Sequence, residues 1–567
     1  MNSIISNLAA FAVVAGFAFA QVGQPTAAGM AARSPALDAN PTETSPASKF
    51  EIADIHASSA RNRPRFSGGF LRDGRYFLRQ ATMADLITTA YRLKDSSYVQ
   101  GGPAWLDWDR YDIEAKVPAG TTQETAKIML RSLLADRFKL VVHHGDAFVP
   151  AFLMTVANGK PNLKAANPTD SGGCERQPPN NGPGPNPTIE LACRGASLSS
   201  LADALNDDGG GGYLSYPVID ATGLKGVYDF DLKWTQKFFL TRSGPSAINI
   251  FQALEQELGL KIDFKTTPRP GLVVDNVNET ATPNPPDLAK IMPPLPEPQF
   301  EVAVIRPTDP AAQRGFGRIS GDEISLQGIP LKFLITLAWD LDPRDDTTLI
   351  APKWIESDRV DIQAKVAASD LGTNSEGKPE SVDIEDLRPM LRSLLIDRFQ
   401  IKYHMEERPG DAYLLIADHP RLDKADPAER TGCTDGPGRD GKDPRLTNVM
   451  LNSLVTCRNM TMDQYAAMLT SRRGGYGYQF YQVINETGLK GAWDFTVSWS
   501  SLDLTQGGPG PGENSAPASD LPTASDPNGA ITYYAALDKE HGLKLVKTKR
   551  PEPVLVIDSI DEKPTEN

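Results

Sequence analysis

The sequence predicts an α+β fold: two tandem homologous domains, each of mostly antiparallel sheet with packed amphipathic helices. Three observations predict it. Residues 130–138, LRSLLADRF, return as LRSLLIDRF at 391–399, and Thr222-Gly223-Leu224-Lys225-Gly226 returns as Thr487-Gly488-Leu489-Lys490-Gly491, in the same order along the two halves. Tyr111, Ile113, Ala115 and Val117 alternate with Asp112, Glu114 and Lys116, the period-two pattern of a strand with one buried face. Apolar residues at helical spacing lie between such stretches, so helices and strands are interspersed as in layered α+β domains.

The elements follow in parallel. An opening strand at 50–55 is echoed at 300–305. A helix then buries Met83, Leu86, Ile87, Ala90 and Tyr91, and its counterpart buries Leu331, Leu334, Ile335, Ala338 and Trp339. Thr82, with Asp85 three residues on, fits an N-cap, and Pro330 fits the second helix start. The alternating strand at 111–117 is matched at 360–366. The Leu-rich helix runs into a strand at Leu140 and Val142, or Ile401 and Tyr403, and separate strands are expected at 152–156 and 413–416. Gly259 and Gly542 read as C-cap glycines. After each, a hairpin is expected around Pro268-Arg269-Pro270 or Pro551-Glu552-Pro553. Gly209 to Gly212 reads as a flexible loop.

A chain of 567 residues has room for two such domains. Residues 1–20 read as a signal peptide: 4–19 are mostly apolar, and Ala18-Phe19-Ala20 ahead of Gln21 has the form of a cleavage site. No Lys or Arg precedes the apolar run, which leaves an uncleaved anchor as the alternative. Residues 21–47 read as a flexible leader, 48–279 as the first domain, 280–299 as a Pro-rich linker and 300–563 as the second domain, with a disordered insertion at about 506–528. No other stretch is apolar enough to span a membrane, so export to the periplasm or outside the cell is expected.

With 72 acidic against 58 basic residues, a general affinity for nucleic acid is disfavoured. Cys174 and Cys193 lie at places corresponding to Cys433 and Cys457, and one disulfide per domain is expected in an oxidising compartment. No metal or other cofactor is expected: the six histidines are scattered, and no phosphate-binding glycine pattern follows a strand.

Both copies carry Ser, Asp and His, as Ser132, Asp136, His143 and Ser393, Asp397, His404. A hydrolase triad needs Ser activated by His and His oriented by a carboxylate. Periodicity instead turns Ser132 and Asp136 away from Leu130, Leu134 and Phe138, and His143 away from Leu140 and Val142, so the set is expected on a solvated face. Asp220-Ala221-Thr222-Gly223 lacks the contiguous motif of an aspartic protease, and the other copy has Asn485 in place of Asp220. Trp105, Arg110, Trp354 and Arg359 are shared and form a candidate binding surface; the alternative is that the tryptophans plug the core and the Asp-Arg pairs fix a turn.

Taken together, residues 50–53, 102–107, 111–116, 133–140, 217–231 and 257–261 resemble the soil-associated family, exported bacterial proteins abundant in acidobacteria that carry a domain of unknown function. The second copy matches with more drift, Val360 replacing Tyr111 and Asn485 replacing Asp220. The resemblance brings no established activity, cofactor or catalytic residue. Similar domains attached to membrane-bound sensor peptidases imply an extracytoplasmic sensing or binding role by association. The expected function is therefore non-enzymatic binding of an envelope component, a protein or a small ligand. A secreted hydrolase using the Ser132-type set and a structural envelope protein are the alternatives.

Overall fold

The computed structural model describes residues 49–566 apart from 59–65, 168–171, 178–187, 208, 241–246, 310–314, 344, 368–370, 373–381, 439, 449, 472–480 and 502–528. The expected signal peptide, leader and insertion lie outside the described residues, as does the loop at 178–187.

Each copy has two lobes. In the first lobe Ile52–Ala57, Arg110–Lys116, Arg75–Thr82 and Ser67–Arg72 form an antiparallel sheet in that order. Phe300–Pro307, Arg359–Val366, Glu323–Pro330 and Phe316–Ser320 repeat it. Two helices cover one face, Met83–Tyr91 with Gln123–Phe138, or Leu331–Ala338 with Ile384–Phe399. The apolar stripe read from the sequence is the buried one: Met83, Leu86, Ile87 and Ala90 are all inaccessible. Thr82 and Asp85 close a capping box, and Pro330 stands at the second helix's N-cap. The repeated arginine of the Leu-rich helix closes the other end. Arg131 donates to the Ala90 carbonyl (2.7 Å) over the Tyr91 ring, and Arg392 donates to that of Ala338 (2.9 Å) over Trp339.

The second lobe is a sheet of Lys164–Ala165, Tyr228–Thr235, Thr188–Ala196 and Gly173–Arg176, matched by Asp423–Lys424, Ala492–Trp499, Ser453–Thr461 and Gly432–Asp435. Its core takes Leu198–Asp207 or Met462–Ser471 and a short helix that widens into a π turn capped by Gly259 or Gly542, both left-handed. The disulfides Cys174–Cys193 and Cys433–Cys457 join directly opposed residues of the edge strand and its neighbour, each with Cα atoms 4.0 Å apart. Replacing Cys433 and Cys457 together by Ser is expected to cost about 2–4 kcal/mol, read as a lowered denaturation midpoint with unchanged slope.

The ribbon between the lobes corrects two expectations. Leu140 and Val142 do not start a strand separate from 152–156. Val141–Val156 is one strand, and it pairs along its length with Leu260–Asn276, antiparallel. The expected hairpin at Pro268–Pro270 is therefore absent: these residues sit mid-strand opposite Phe148, Ala147 and Asp146. Prolines at alternate positions place both missing donors on the same edge of the strand, so the ladder continues on the other. Lys402–Ala417 and Leu543–Ser559 repeat the ribbon. One strand pair serves two cores, Leu272 and Val274 in the first and Met154 and Leu260 in the second.

Gly209–Gly212 is likewise not a loose loop but a tight turn with Gly210 and Gly211 left-handed. Trp234 donates its indole N–H to the Gly210 carbonyl at 2.9 Å. A Cβ on Gly211 would lie 2.7 Å from Ile189 and 2.9 Å from the Trp234 nitrogen, so only glycine allows the approach.

The Pro-rich linker does not run free. Arg137 donates to the Thr282 carbonyl and the Asn284 side chain (both 2.6 Å), Asn284 bonds Asp54 and both backbone groups of Ile55, and Arg75 bonds the Pro293 carbonyl. The chain is thereby laid along the outer strand of the first copy before the second begins.

Candidate functional site

Most polar residues shared by the two copies have the same local task in each. Arg110 donates to the Gln80 carbonyl (2.5 Å) while Asp112 accepts from the Gln80 N–H (2.7 Å). Arg359 and Asp361 hold Gly328 in the same way, at 2.6 and 2.9 Å. Gln80 and Gly328 are left-handed residues at bulges in the neighbouring strand, so the repeated Arg-x-Asp clamps the bulge. In the second lobe Asp229 accepts from the N–H of Gly195 and Asp494 from that of Asn459, again at left-handed bulge residues. Asp220 accepts from the N–H and hydroxyl of Thr222, and Asn485 does so from Thr487. This is an Asx turn, which Asn serves as well as Asp, and it accounts for the exchange that removed the protease reading.

The Ser/Asp/His set is not assembled. Asp136 pairs with Lys49 at 2.7 Å, and His143 Nδ1 faces Asp275 at 2.8 Å. Among the described residues no hydrogen bond links Ser132 to either. In the second copy His404 faces Asp558 at 2.9 Å. The hydrogen bond to Asp558, followed by the charges of Asp558 and Glu406, raises the His404 pKa above that of an ordinary histidine. A raised histidine stabilises the fold fully below its unfolded value of about 6.5 and loses that contribution as pH rises through the folded value. His404 is thus expected to titrate above the ordinary range by NMR, and Asp558→Asn to return it there.

Trp105 and Trp354 lean, half-buried, on the first-lobe cores, and Trp105 meets Tyr111 edge-on at 6.5 Å. Arg359 is exposed on the second copy, whereas Arg110 lines a cleft between the copies. The four residues therefore do not share one surface.

That cleft has two chambers, of about 600 and 350 Å³, within the usual range for ligand pockets. The larger lies between Trp108, Arg110 and Asp85 of the first copy and Thr434, Met468 and Ser471 of the second. Burial lowers the Arg110 pKa, opposed by the charge of Asp85. Arg430 lines the smaller chamber beside Asp107, which lines both. Its guanidinium takes both oxygens of Asp107 (2.5 and 2.7 Å) and also donates to the carbonyls of Val99 and Ser96. Burial raises the Asp107 pKa and Arg430 opposes the rise. Alongside, the Thr431 N–H donates to the Ala104 carbonyl at 2.9 Å. Trp108 packs against the second-lobe core of the other copy.

The sequence reading missed these cleft residues because it looked for residues shared by both copies. Trp108 corresponds to Ser357, Asp107 to Glu356 and Arg430 to Ser171. Difference between the copies was the available signal. Among the described residues no cluster of three or more His, Cys, Asp or Glu could hold a metal, and no helix is long and apolar enough to cross a membrane.

No curated protein and no solved structure was found to match the chain. A family model, described as Protein of unknown function (DUF3738), matches residues 84–277 and again 332–560, which together are most of the sequence and fall one in each of the two copies, beginning after the first three strands of each. The chain belongs to that family and carries its domain twice in tandem.

Proposed function

We propose that the protein is an exported, non-enzymatic binding module that holds its ligand in the cleft between its two copies. The carrying observation is Trp108: the bulge clamps and Asx turns recur in both copies, but this aromatic side chain occurs once, at the cleft. Aromatic anchors at the centre of a cleft contribute binding energy out of proportion to their number. Two stapled domains fit an oxidising compartment.

A thermal-shift screen of envelope sugars, peptides and metabolites tests the binding reading. A ligand is expected to raise the melting temperature of the natural protein but not of Trp108→Ser, which installs the second copy's residue. Equal shifts in both proteins would contradict the cleft. For export, the mature protein is expected in the periplasmic or extracellular fraction with Gln21 at its N-terminus; recovery of the intact N-terminus from the cytoplasm would contradict it.

A further inference from the structure

We infer that the smaller chamber is a subsite for a neutral carbohydrate, a proposal that rests on the cleft reading above and names its ligand class. One wall is aromatic. Phe148 is 60% exposed, an unusual state for a phenylalanine, and lines the chamber with Tyr216 and Phe264, whose ring centroids are 5.1 Å apart. Tyr216 and Phe264 also pack against the second-lobe core, but Phe148 and Phe264 are not repeated in the other copy. At the same ribbon positions the second copy has Pro409 and Lys547, and there Lys547 lies over Tyr481, the counterpart of Tyr216, and pairs with Asp411. The ribbon keeps its register with either set.

The second copy's residues bring hydroxyls to the chamber, and that of Thr434 meets the Tyr216 phenol. Thr434 and Thr456 are directly opposed on neighbouring strands, where the first copy has Glu175 and Ala192. Thr431 joins them, where the first copy has Gly172. Thr431 and Thr456 donate their protons to the carbonyls of Asn459 and Gly436, and Thr456 also accepts from the Thr496 hydroxyl at 3.3 Å, so each oxygen keeps a lone pair to accept with. Four charged residues, Asp107, Glu429, Arg430 and Arg458, also line the chamber, and two of them, Arg430 and Asp107, are paired with each other. Aromatic rings beside threonine hydroxyls match the two-sided chemistry of a pyranose, whose ring C–H face is apolar and whose rim is hydroxyl. The larger chamber shares Ser96, Asp107, Gly432 and Thr434 with this one, so an oligosaccharide has a path from one to the other.

The test uses the full mature chain and titration calorimetry with cellohexaose, xylohexaose and chitohexaose. At least one is expected to bind, with affinity reduced tenfold or more in Phe148→Ala and reduced in Thr434→Glu. Phe148 is exposed, so its variant is expected to melt with the natural protein; Phe333→Ala, exposed on another element, is expected to bind normally. Two results would overturn the carbohydrate subsite: binding of none of the three sugars, or binding indifferent to Phe148. If a peptide or metabolite from the thermal screen remains Trp108-dependent while the sugars fail, the cleft stands and only the ligand class falls. If no compound of any class depends on Trp108, both readings fall.

Discussion

Asp386→Ala is expected to destabilise the protein by about 3–5 kcal/mol, the cost of removing one partner of a buried ion pair. Asp386 lies in the first turn of Ile384–Phe399 in the second copy and is itself buried. Its oxygens take Arg72 at 2.7 Å and Arg79 at 3.1 Å, both from the first copy's sheet. Arg72 is 7% exposed and stacks over Phe70 and Phe77, so it cannot turn to water without losing that packing. The double variant Arg72→Met with Asp386→Leu is expected to recover much of the loss, because it removes the buried pair and leaves only the more exposed Arg79. Urea unfolding of the three proteins measures both effects. A single variant within about 0.5 kcal/mol of the natural protein, the scale of an ordinary surface change, would mean that the two copies do not meet there.

Arg430→Ala is expected to cost about 2–3 kcal/mol, less than Asp386→Ala because Arg430 and Asp107 retain 20% and 29% side-chain exposure. The guanidinium ties Asp107, Val99 and Ser96 of the first copy to the start of the second copy's edge strand. It also lines the smaller chamber. Ligand affinity is therefore expected to change beyond what stability alone dictates. Arg430→Lys, which keeps the charge but not the planar fork, is expected to recover only part of either loss. Equal binding by all three proteins at a temperature where each is folded would place the ligand elsewhere.

The two copies made local structure legible in the sequence. Helix faces such as Met83, Leu86, Ile87 and Ala90, the cap at Thr82 and the paired cysteines follow from periodicity and spacing within a few residues. The continuous ribbon was not legible. Gly145 and Pro150 break the alternation of one strand, and Pro268 and Pro270 break that of its partner, yet long-range pairing keeps both extended. Gly209 to Gly212 read as slack for a similar reason, since the Trp234 that fixes it is over twenty residues away. The cleft was hidden differently. A search for shared residues finds Arg110 with Asp112 and Asp229, whose repeated work is clamping bulges. The cleft gathers Trp108, Arg430 and Phe148, each present once, and only tertiary packing of one copy on the other brings them together.

Amide hydrogen exchange, with and without the compound that most stabilises the natural protein, tests most directly whether shared residues hold the fold and unshared ones hold the ligand. The account predicts slowed exchange at 99–108 and 432–435, on either side of the cleft, and no change at the corresponding stretches 349–357 and 173–176. Equal protection of both members of each pair, or protection at 349–357 and 173–176 alone, would contradict it.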